Sequence, residues 1–372
     1  MKITINKSVI LSVLSNIQGI TGRKTNLAIT TNVLLTAADS GVTICATDLE
    51  TGFEGVYAAD IESTGTVTIN ARKLFEIVRE FPSEEIRIHE VENHWIQISN
   101  QNVEYHLVGM NPDDFPEIPK ISDVQFFEIE SSALRKMIDR VVIISGAADD
   151  RRAHIVGIYV ESLQKDDHRV FRMISTDGSR LSTVDHFYDK DFELPIKEGF
   201  LIPKKGMNEV NKFLEQEGAV QIGIKDNNFI IQKDHETIII RLLEGDFPEY
   251  GDIILKSDAH KIPLDKHLFL MMLKRMSILS SEEYRSVVFN FVNEQLMITS
   301  TNPDIGESKE TMTIAFKGEP IQVAFNPRYF IETLGVLEGD TVLLSIVNEE
   351  KPCLIEGQGD NTFLTAIMPM RI

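Results

Sequence analysis

The chain runs through one order of segments three times, and this repeat limits its possible folds more than any bulk property does. Each unit opens on a strand-like stretch and an amphipathic helix, at Ile3–Gln18, Phe126–Ser145 and His260–Ser277. A strand ending in a polar turn follows, at Thr47-Asp48, Thr176-Asp177 and Thr301-Asn302. A second strand and helix come next, at Val67–Glu80, Phe200–Gln216 and Ile321–Gly335. Closing strands stand at Tyr105–Met110, Thr237–Leu243 and Phe363–Met370. The first two closing strands lead into acidic, proline-bearing joints, Asp114-Phe115-Pro116-Glu117 and Asp246-Phe247-Pro248-Glu249, and the third leads to the C-terminus. The repeat predicts three similar domains over 1–121, 122–253 and 254–372, each long enough for its own core.

Within a unit the order strand, helix, strands occurs twice, so each domain is read as two similar β-α-βββ halves. Asn70 is placed to cap the second helix of the first unit. Pro203 and Pro327 suit a first helical position, where the missing N–H costs nothing. From Asn70 onward, Ala71, Leu74, Phe75 and Val78 form one apolar face at 3-4 spacing, opposite Arg72, Glu76 and Arg79. Runs such as Thr237-Ile238-Ile239-Ile240 and Thr341-Val342-Leu343-Leu344 read as buried strands. The class is α+β, with mostly antiparallel sheet and two helices per domain on one sheet face.

The formal charge is −20, from 57 acids and 37 bases, which alone argues against a nucleic-acid partner. Its distribution argues the other way. The six expected helices, 7–18, 70–80, 132–145, 203–216, 263–277 and 326–335, hold 14 Lys or Arg and 7 Asp or Glu. The helices are therefore basic and the strands and loops acidic. Lys and Arg are good helix formers, but so is Glu, which is scarce here. A common negative object facing every helix accounts for the imbalance, and backbone phosphate is the natural candidate. The acidic remainder would repel nucleic acid from other faces.

Enzyme chemistry finds little footing. The nine histidines form no His-x-x-x-His pair, and no Gly-x-Ser-x-Gly elbow or phosphate loop occurs. Gly357-Gln358-Gly359 reads as a hairpin turn, and Asp149-Asp150 and Asp166-Asp167 as solvated loops. Cys45 and Cys353 match no metal or redox motif, read as small buried hydrophobes and suit a reducing cytoplasm. No apolar run approaches the ~18 residues of a membrane span, and neither metal nor cofactor is expected. A three-repeat scaffold that binds only proteins explains the repeat but not the basic helices.

Four stretches, taken in order and in their proper repeats, carry a resemblance. They are Ala46-Thr47-Asp48-Leu49-Glu50, Ser175-Thr176-Asp177-Gly178-Ser179-Arg180-Leu181, Asp246-Phe247-Pro248-Glu249-Tyr250 and Met368-Pro369-Met370-Arg371-Ile372. The chain resembles, over its whole length, the bacterial DNA polymerase processivity clamps, the beta subunits of the replicase. The resemblance implies a non-catalytic protein of three DNA-clamp domains that closes head to tail into a homodimeric ring around duplex DNA. Helices would line the hole and sheets form the outer wall. It also implies partners that dock by short peptides: the polymerase III alpha subunit, the clamp loader, other polymerases and repair proteins.

Carried over by position, the peptide pocket between the second and third domains would be walled by Ile155, Thr176, Gly178, Arg180 and Leu181 from the second. Pro248 and Ile253 would come from the joint. Asn326, Tyr329, Ile346, Pro352, Met368, Pro369 and Met370 would come from the third. Aliphatic and methionine walls suit an apolar peptide anchor. Ser179 and Asp252 depart from the family pattern at the rim. DNA-facing residues would be Arg23, Arg72, Arg152 and Lys204, with Lys205 beside it; Asp149, Ala153 and His154 depart from the pattern around Arg152. At the ring joint, Lys73 and Leu107 of one chain would face Ile278 and Leu279 of the other.

Overall fold

A computed structural model of the chain describes residues 1–22, 25–119, 121–144, 146, 150–256, 259–279 and 286–371. It divides into two compact units, Met1–Arg135 with Ile202–Leu242, and Lys136–Leu201 with Leu243–Ile372.

The first unit holds two sheets joined by antiparallel pairs. One runs, in spatial order, Asp60–Ser63, Lys2–Asn6, Glu85–Glu90, Trp95–Ser99, Glu104–Val108. The other has eight strands: Phe126–Glu130, Ala219–Lys225, Asn228–Lys233, Glu236–Arg241, Thr51–Tyr57, Gly41–Thr47, Asn32–Ala38 and Gly65–Asn70. Four of these come from the central repeat and four from the first, joined where Ile240 pairs with Thr51 and Ile238 with Phe53.

The second unit has the same plan. Its eight-stranded sheet runs Phe200–Pro203, Gly157–Lys165, His168–Thr176, Arg180–Asp189, Phe363–Ile367, Cys353–Gly357, Thr341–Ile346, His260–Asp265. Arg180 pairs with Ile367 at the joint, and Leu181 with Ala366. The remaining sheet has four strands, Gly306–Thr313, Gln295–Asn302, Val287–Val292 and Ile321–Phe325. Both eight-stranded sheets thus continue through a junction between repeats.

The helices are α1 (Lys7–Asn16), α2 (Gln18–Thr21), α3 (Ala71–Glu80), α4 (Ser131–Val142), α5 (Ala153–Val156), α6 (Lys204–Phe213), α7 (Lys266–Met276) and α8 (Pro327–Val336). Six match the expected helices to within a few residues; the short α2 and α5 carry too little periodicity to be read in the sequence. Asn70 Oδ1 caps α3 by accepting the Lys73 N–H at 3.0 Å. Asn326 caps α8 by accepting the Arg328 N–H at 3.0 Å, with Pro327 in the first turn. Pro203 is the residue before α6 rather than its first, one position from expectation. α1 packs on α3 through Ile10, Val13, Leu14, Leu74 and Val78, all at most 2% exposed, and α7 packs on α8 around Phe269 and Phe330.

One device recurs in all three repeats. A cation of the first helix donates to the carbonyl just past the second: Lys7 Nζ to Phe81 at 2.6 Å, Arg135 Nη1 to Leu214 at 3.4 Å, and Lys266 Nζ to Leu337 at 2.8 Å. These carbonyls have no helical partner, and the negative end of the helix dipole lies there. Three of the helical cations that the sequence offers to phosphate thus serve helix ends instead. The aromatic core of the last repeat, where the Phe289 ring lies 5.3 Å from Phe325 and 5.1 Å from Phe330, holds the start of α8 in place.

Candidate functional site

The Thr176–Arg180 turn, where the Arg180–Asp189 strand meets the Phe363–Ile367 strand, is ordered by its own side chains. Thr176 Oγ1 donates to the Arg180 carbonyl at 2.7 Å and accepts the Gly178 N–H at 3.1 Å. Asp177 Oδ1 accepts the N–H groups of Ser179 at 3.0 Å and Arg180 at 3.1 Å. Gly178 takes φ +88°, and nothing lies within 4 Å of where a Cβ would stand, so the left-handed backbone rather than crowding asks for glycine.

Arg180 is 4% exposed. Its Nε donates to Asp177 Oδ2 at 3.0 Å, its Nη2 donates to the Ile143 carbonyl at 3.2 Å, and its Nη1 pairs with Glu332 Oε2 at 2.6 Å. The half-buried Tyr329 covers it, ring centroid 4.3 Å from the guanidinium carbon. α8, started by Asn326 and Pro327, carries both Tyr329 and Glu332.

The C-terminal segment lies beside this turn. Met368 N–H donates to the Ser179 carbonyl at 2.9 Å, and Met370 N–H to the Ala324 carbonyl at 2.8 Å. Ile367 is fully buried, whereas Met368 and Met370 are each 38% exposed. Cys353 pairs with Ile367, which sets half-buried Pro352 next to Met368 and buried Ile346 behind it. Ile253 packs on Leu364 and Ala366.

The joint is a packed strut rather than a loose linker. Phe247 stacks on Tyr159, centroids 4.8 Å apart, and meets His154 edge-on at 6.5 Å. Tyr250 donates to Glu161 and accepts from Arg172 Nη1 at 3.2 Å. Burial, and the hydrogen bond to Glu161, push the Tyr250 phenol well above its ordinary value, so it stays a neutral donor. Pro248 is thereby held at the surface near α5, whose Ile155 is 2% exposed.

All fourteen expected pocket residues lie in this second unit: Ile155, Leu181 and Ile346 buried, Pro248, Met368 and Met370 exposed at the rim. The salt bridge from Arg180 to Glu332 has no sequence signature, because the partners are far apart in the chain.

Of the expected DNA-facing residues, Arg72 projects from α3 with its side chain 81% exposed and pairs with Glu76 at 3.1 Å. Arg152 precedes α5, 61% exposed, and grips Asp150 through Nε at 3.0 Å and Nη2 at 2.7 Å. Those bonds hold the Asp150 carboxyl down at about 2. Lys205 is exposed, but Lys204 is only 9% exposed. It shares the i, i+3 row of α6 with buried Met207, Val210 and Phe213, which turns it inward and corrects its expected outward role. Arg23 lies outside the described residues, as do Asp149 and Ile372.

At the expected joint, Ile278 is 74% exposed and Leu279 half-buried. Lys73 is exposed and pairs with Glu76 at 2.8 Å, and Leu107 lies half-buried on the edge strand Glu104–Val108. Cys353 is fully buried, its thiol pushed up by desolvation; Cys45 is half-buried. Among the described residues no group of three or more His, Cys, Asp or Glu side chains could hold a metal ion, and no helix is long and apolar enough to cross a membrane.

Three family models match in succession: the N-terminal domain of the DNA polymerase III beta subunit over residues 1–119, its central domain over 128–249 and its C-terminal domain over 252–371. The chain belongs to the DNA polymerase III beta subunit family. It consists of three beta-clamp domains. The beta sliding clamp of Vibrio cholerae is 27% identical over the full length of both chains, and that of Pseudomonas aeruginosa 26%. The solved beta subunit of Pseudomonas aeruginosa has a TM-score of 0.92 at 26% identity, each chain fully covered. The sliding clamp of Bartonella birtlesii, solved bound to griselimycin, gives the same values.

Proposed function

We propose that this protein is a DNA polymerase processivity clamp: a non-catalytic, cytoplasmic homodimer, closed head to tail around duplex DNA, that tethers replication and repair proteins. The observation that carries the ring is the pair of open sheet edges. Each eight-stranded sheet merges two four-stranded halves edge to edge. At one end the five- and four-stranded sheets finish on Glu104–Val108 and Gly306–Thr313, which pair with no further strand among the described residues. Open edges invite pairing with another chain. Glu104–Val108 of one copy against Gly306–Thr313 of the other would repeat the fusion made twice within the chain, and two such joints would close a ring of two copies. Domain boundaries near 121 and 253 fit the same plan.

In this reading Arg72, Arg152 and Lys205 meet the phosphate backbone without regard to sequence. The pocket bordered by Thr176, Gly178, Arg180, Leu181, Tyr329 and Met368–Met370 takes short peptides from the polymerase alpha subunit, the clamp loader, other polymerases and repair proteins. Its mixture of buried aliphatic floor, flexible methionine rim and one fixed cation supports that use. A scaffold that binds only proteins would leave the family membership without a role.

The test is titration of a short Leu- and Phe-bearing peptide against the intact protein and a form lacking residues 368–372. The intact protein should bind at micromolar to sub-millimolar strength, about 5–8 kcal/mol. The truncated one should lose most of that affinity yet still load on circular DNA. Equal binding by both would remove the C-terminal segment from the site.

A further inference from the structure

In the first unit the Thr47–Thr51 turn repeats the backbone N–H bonds that order the Thr176–Arg180 turn. Leu49 N–H donates to Thr47 Oγ1 at 3.0 Å, and Asp48 Oδ1 accepts from Glu50 at 3.1 Å and Thr51 at 2.7 Å. Thr51 pairs with Ile240 as Arg180 pairs with Ile367. Arg241 N–H donates to the Glu50 carbonyl at 2.9 Å, as Met368 N–H donates to Ser179 at 2.9 Å. Arg241 therefore stands where Met368 stands. Beside the turn lies a groove of about 340 Å³, with Leu49, Glu50, Pro116, Glu117, Asp226 and Arg241 among its walls. Pro116 and Glu117 belong to the first Phe-Pro-Glu joint, as Pro248 belongs to the second.

Two differences set the chemistry of this groove. Its methionine is an arginine, and three exposed carboxylates, Glu50, Glu117 and Asp226, outnumber that one guanidinium. Leu49 also holds φ +78°, where its counterpart is Gly178, and is 49% exposed. A bulky side chain rarely adopts this backbone. Neither burial nor backbone preference accounts for leucine here, and such outliers gather at binding sites.

We propose that this groove is a second peptide site, for an extended segment bearing lysine or arginine around one aliphatic anchor that rests on Leu49. The proposal rests on the Thr176 turn bordering a peptide pocket, and its chemistry separates the two sites. A short lysine-flanked isoleucine peptide, labelled and followed by fluorescence anisotropy with the full-length protein, is the probe. It should bind, weaken with added salt, and resist displacement by the Leu- and Phe-bearing peptide. Leu49→Gly, which suits the backbone, and the pair Glu117→Lys and Asp226→Lys should each weaken binding by roughly tenfold. Glu319→Lys, exposed in the other unit, should not. No binding, displacement by the Leu- and Phe-bearing peptide, or an equal loss with Glu319→Lys would overturn the proposal. Failure of the Leu- and Phe-bearing peptide to bind at all, with the lysine peptide still sensitive to Leu49→Gly, would remove the pocket reading and leave this groove standing.

Discussion

The Arg180 guanidinium carbon lies 4.3 Å from the centre of the Tyr329 ring, and its Nη1 pairs with Glu332 one turn further along α8. Arg180 comes from the central repeat, Tyr329 and Glu332 from the third. Arg180, in the floor of the proposed pocket, is therefore also the fastener between them. Removing the cation strands Asp177 and Glu332, whose side chains are 12% and 24% exposed. Arg180→Ala should cost about 3 kcal/mol of stability, toward the lower end for a broken buried pair because Glu332 keeps some water. Tyr329→Ala should cost only about 1 kcal/mol beyond its lost packing, and should change peptide affinity more than stability. Thermal unfolding beside peptide titration separates the two; an Arg180→Ala protein as stable as the parent would contradict the fastener.

The proposed ring closure is tested at the most exposed large hydrophobic side chain among the described residues. Ile278, 74% exposed, has nothing to gain from water, and half-buried Leu279 follows it. The double change Ile278→Lys with Leu279→Lys puts two desolvated ammonium groups into an apolar joint. It should shift the protein to monomer, since interface anchors of this kind each contribute on the order of 2 kcal/mol or more. Sedimentation equilibrium reads the outcome, and an unchanged dimer would place the joint elsewhere.

Contact with DNA should depend on net phosphate neutralisation. Arg72→Glu, Arg152→Glu and Lys205→Glu together should sharply reduce retention on nicked circular DNA while leaving the dimer intact. Retention by the parent should fall steeply with salt. Arg152 is the informative single change: it is already paired with Asp150, so Asp150→Asn should release it and strengthen retention. Retention unaffected by Asp150→Asn would mean that Arg152 does not meet phosphate.

The sequence made the large-scale order legible because hydrophobic period and turn residues repeat in every unit. The cap at Asn70, the helix start at Pro327 and the strands flanking Thr176 are local decisions of a few neighbouring residues. What could not be read is decided across the chain. Lys204 is buried because its helix row faces inward, and Lys7, Arg135 and Lys266 end on carbonyls more than seventy residues away. Net helix charge counts these cations as available; the fold does not. The wall residues of the pocket were placed by resemblance, since Thr-Asp-Gly by itself announces only a turn.

The same long-range logic gives an acid-sensitive contact in the second unit. Arg140, on α4, is 1% exposed; its Nη2 donates to Asp360 Oδ2 at 2.6 Å, its Nη1 to Thr362 Oγ1 at 2.8 Å, and it lies 5.0 Å from the Phe363 ring centre. Burial pushes the Asp360 carboxyl up, but hydrogen bonds from Thr362 and the charge of Arg140 outweigh it, and the group sits below its ordinary value. A carboxyl with a depressed folded pKa stabilises the fold above its unfolded pKa of about 3.9. That contribution is lost as pH falls through the unfolded value toward the folded one. Asp360→Asn keeps the shape and removes the charge. Its destabilisation, read as a lowered urea midpoint, should be full and constant above about pH 5 and shrink as pH falls through the unfolded value into the acid range where the folded parent carboxyl also takes up its proton. A gap between parent and variant that persists undiminished into that acid range would show that Asp360 acts by shape alone.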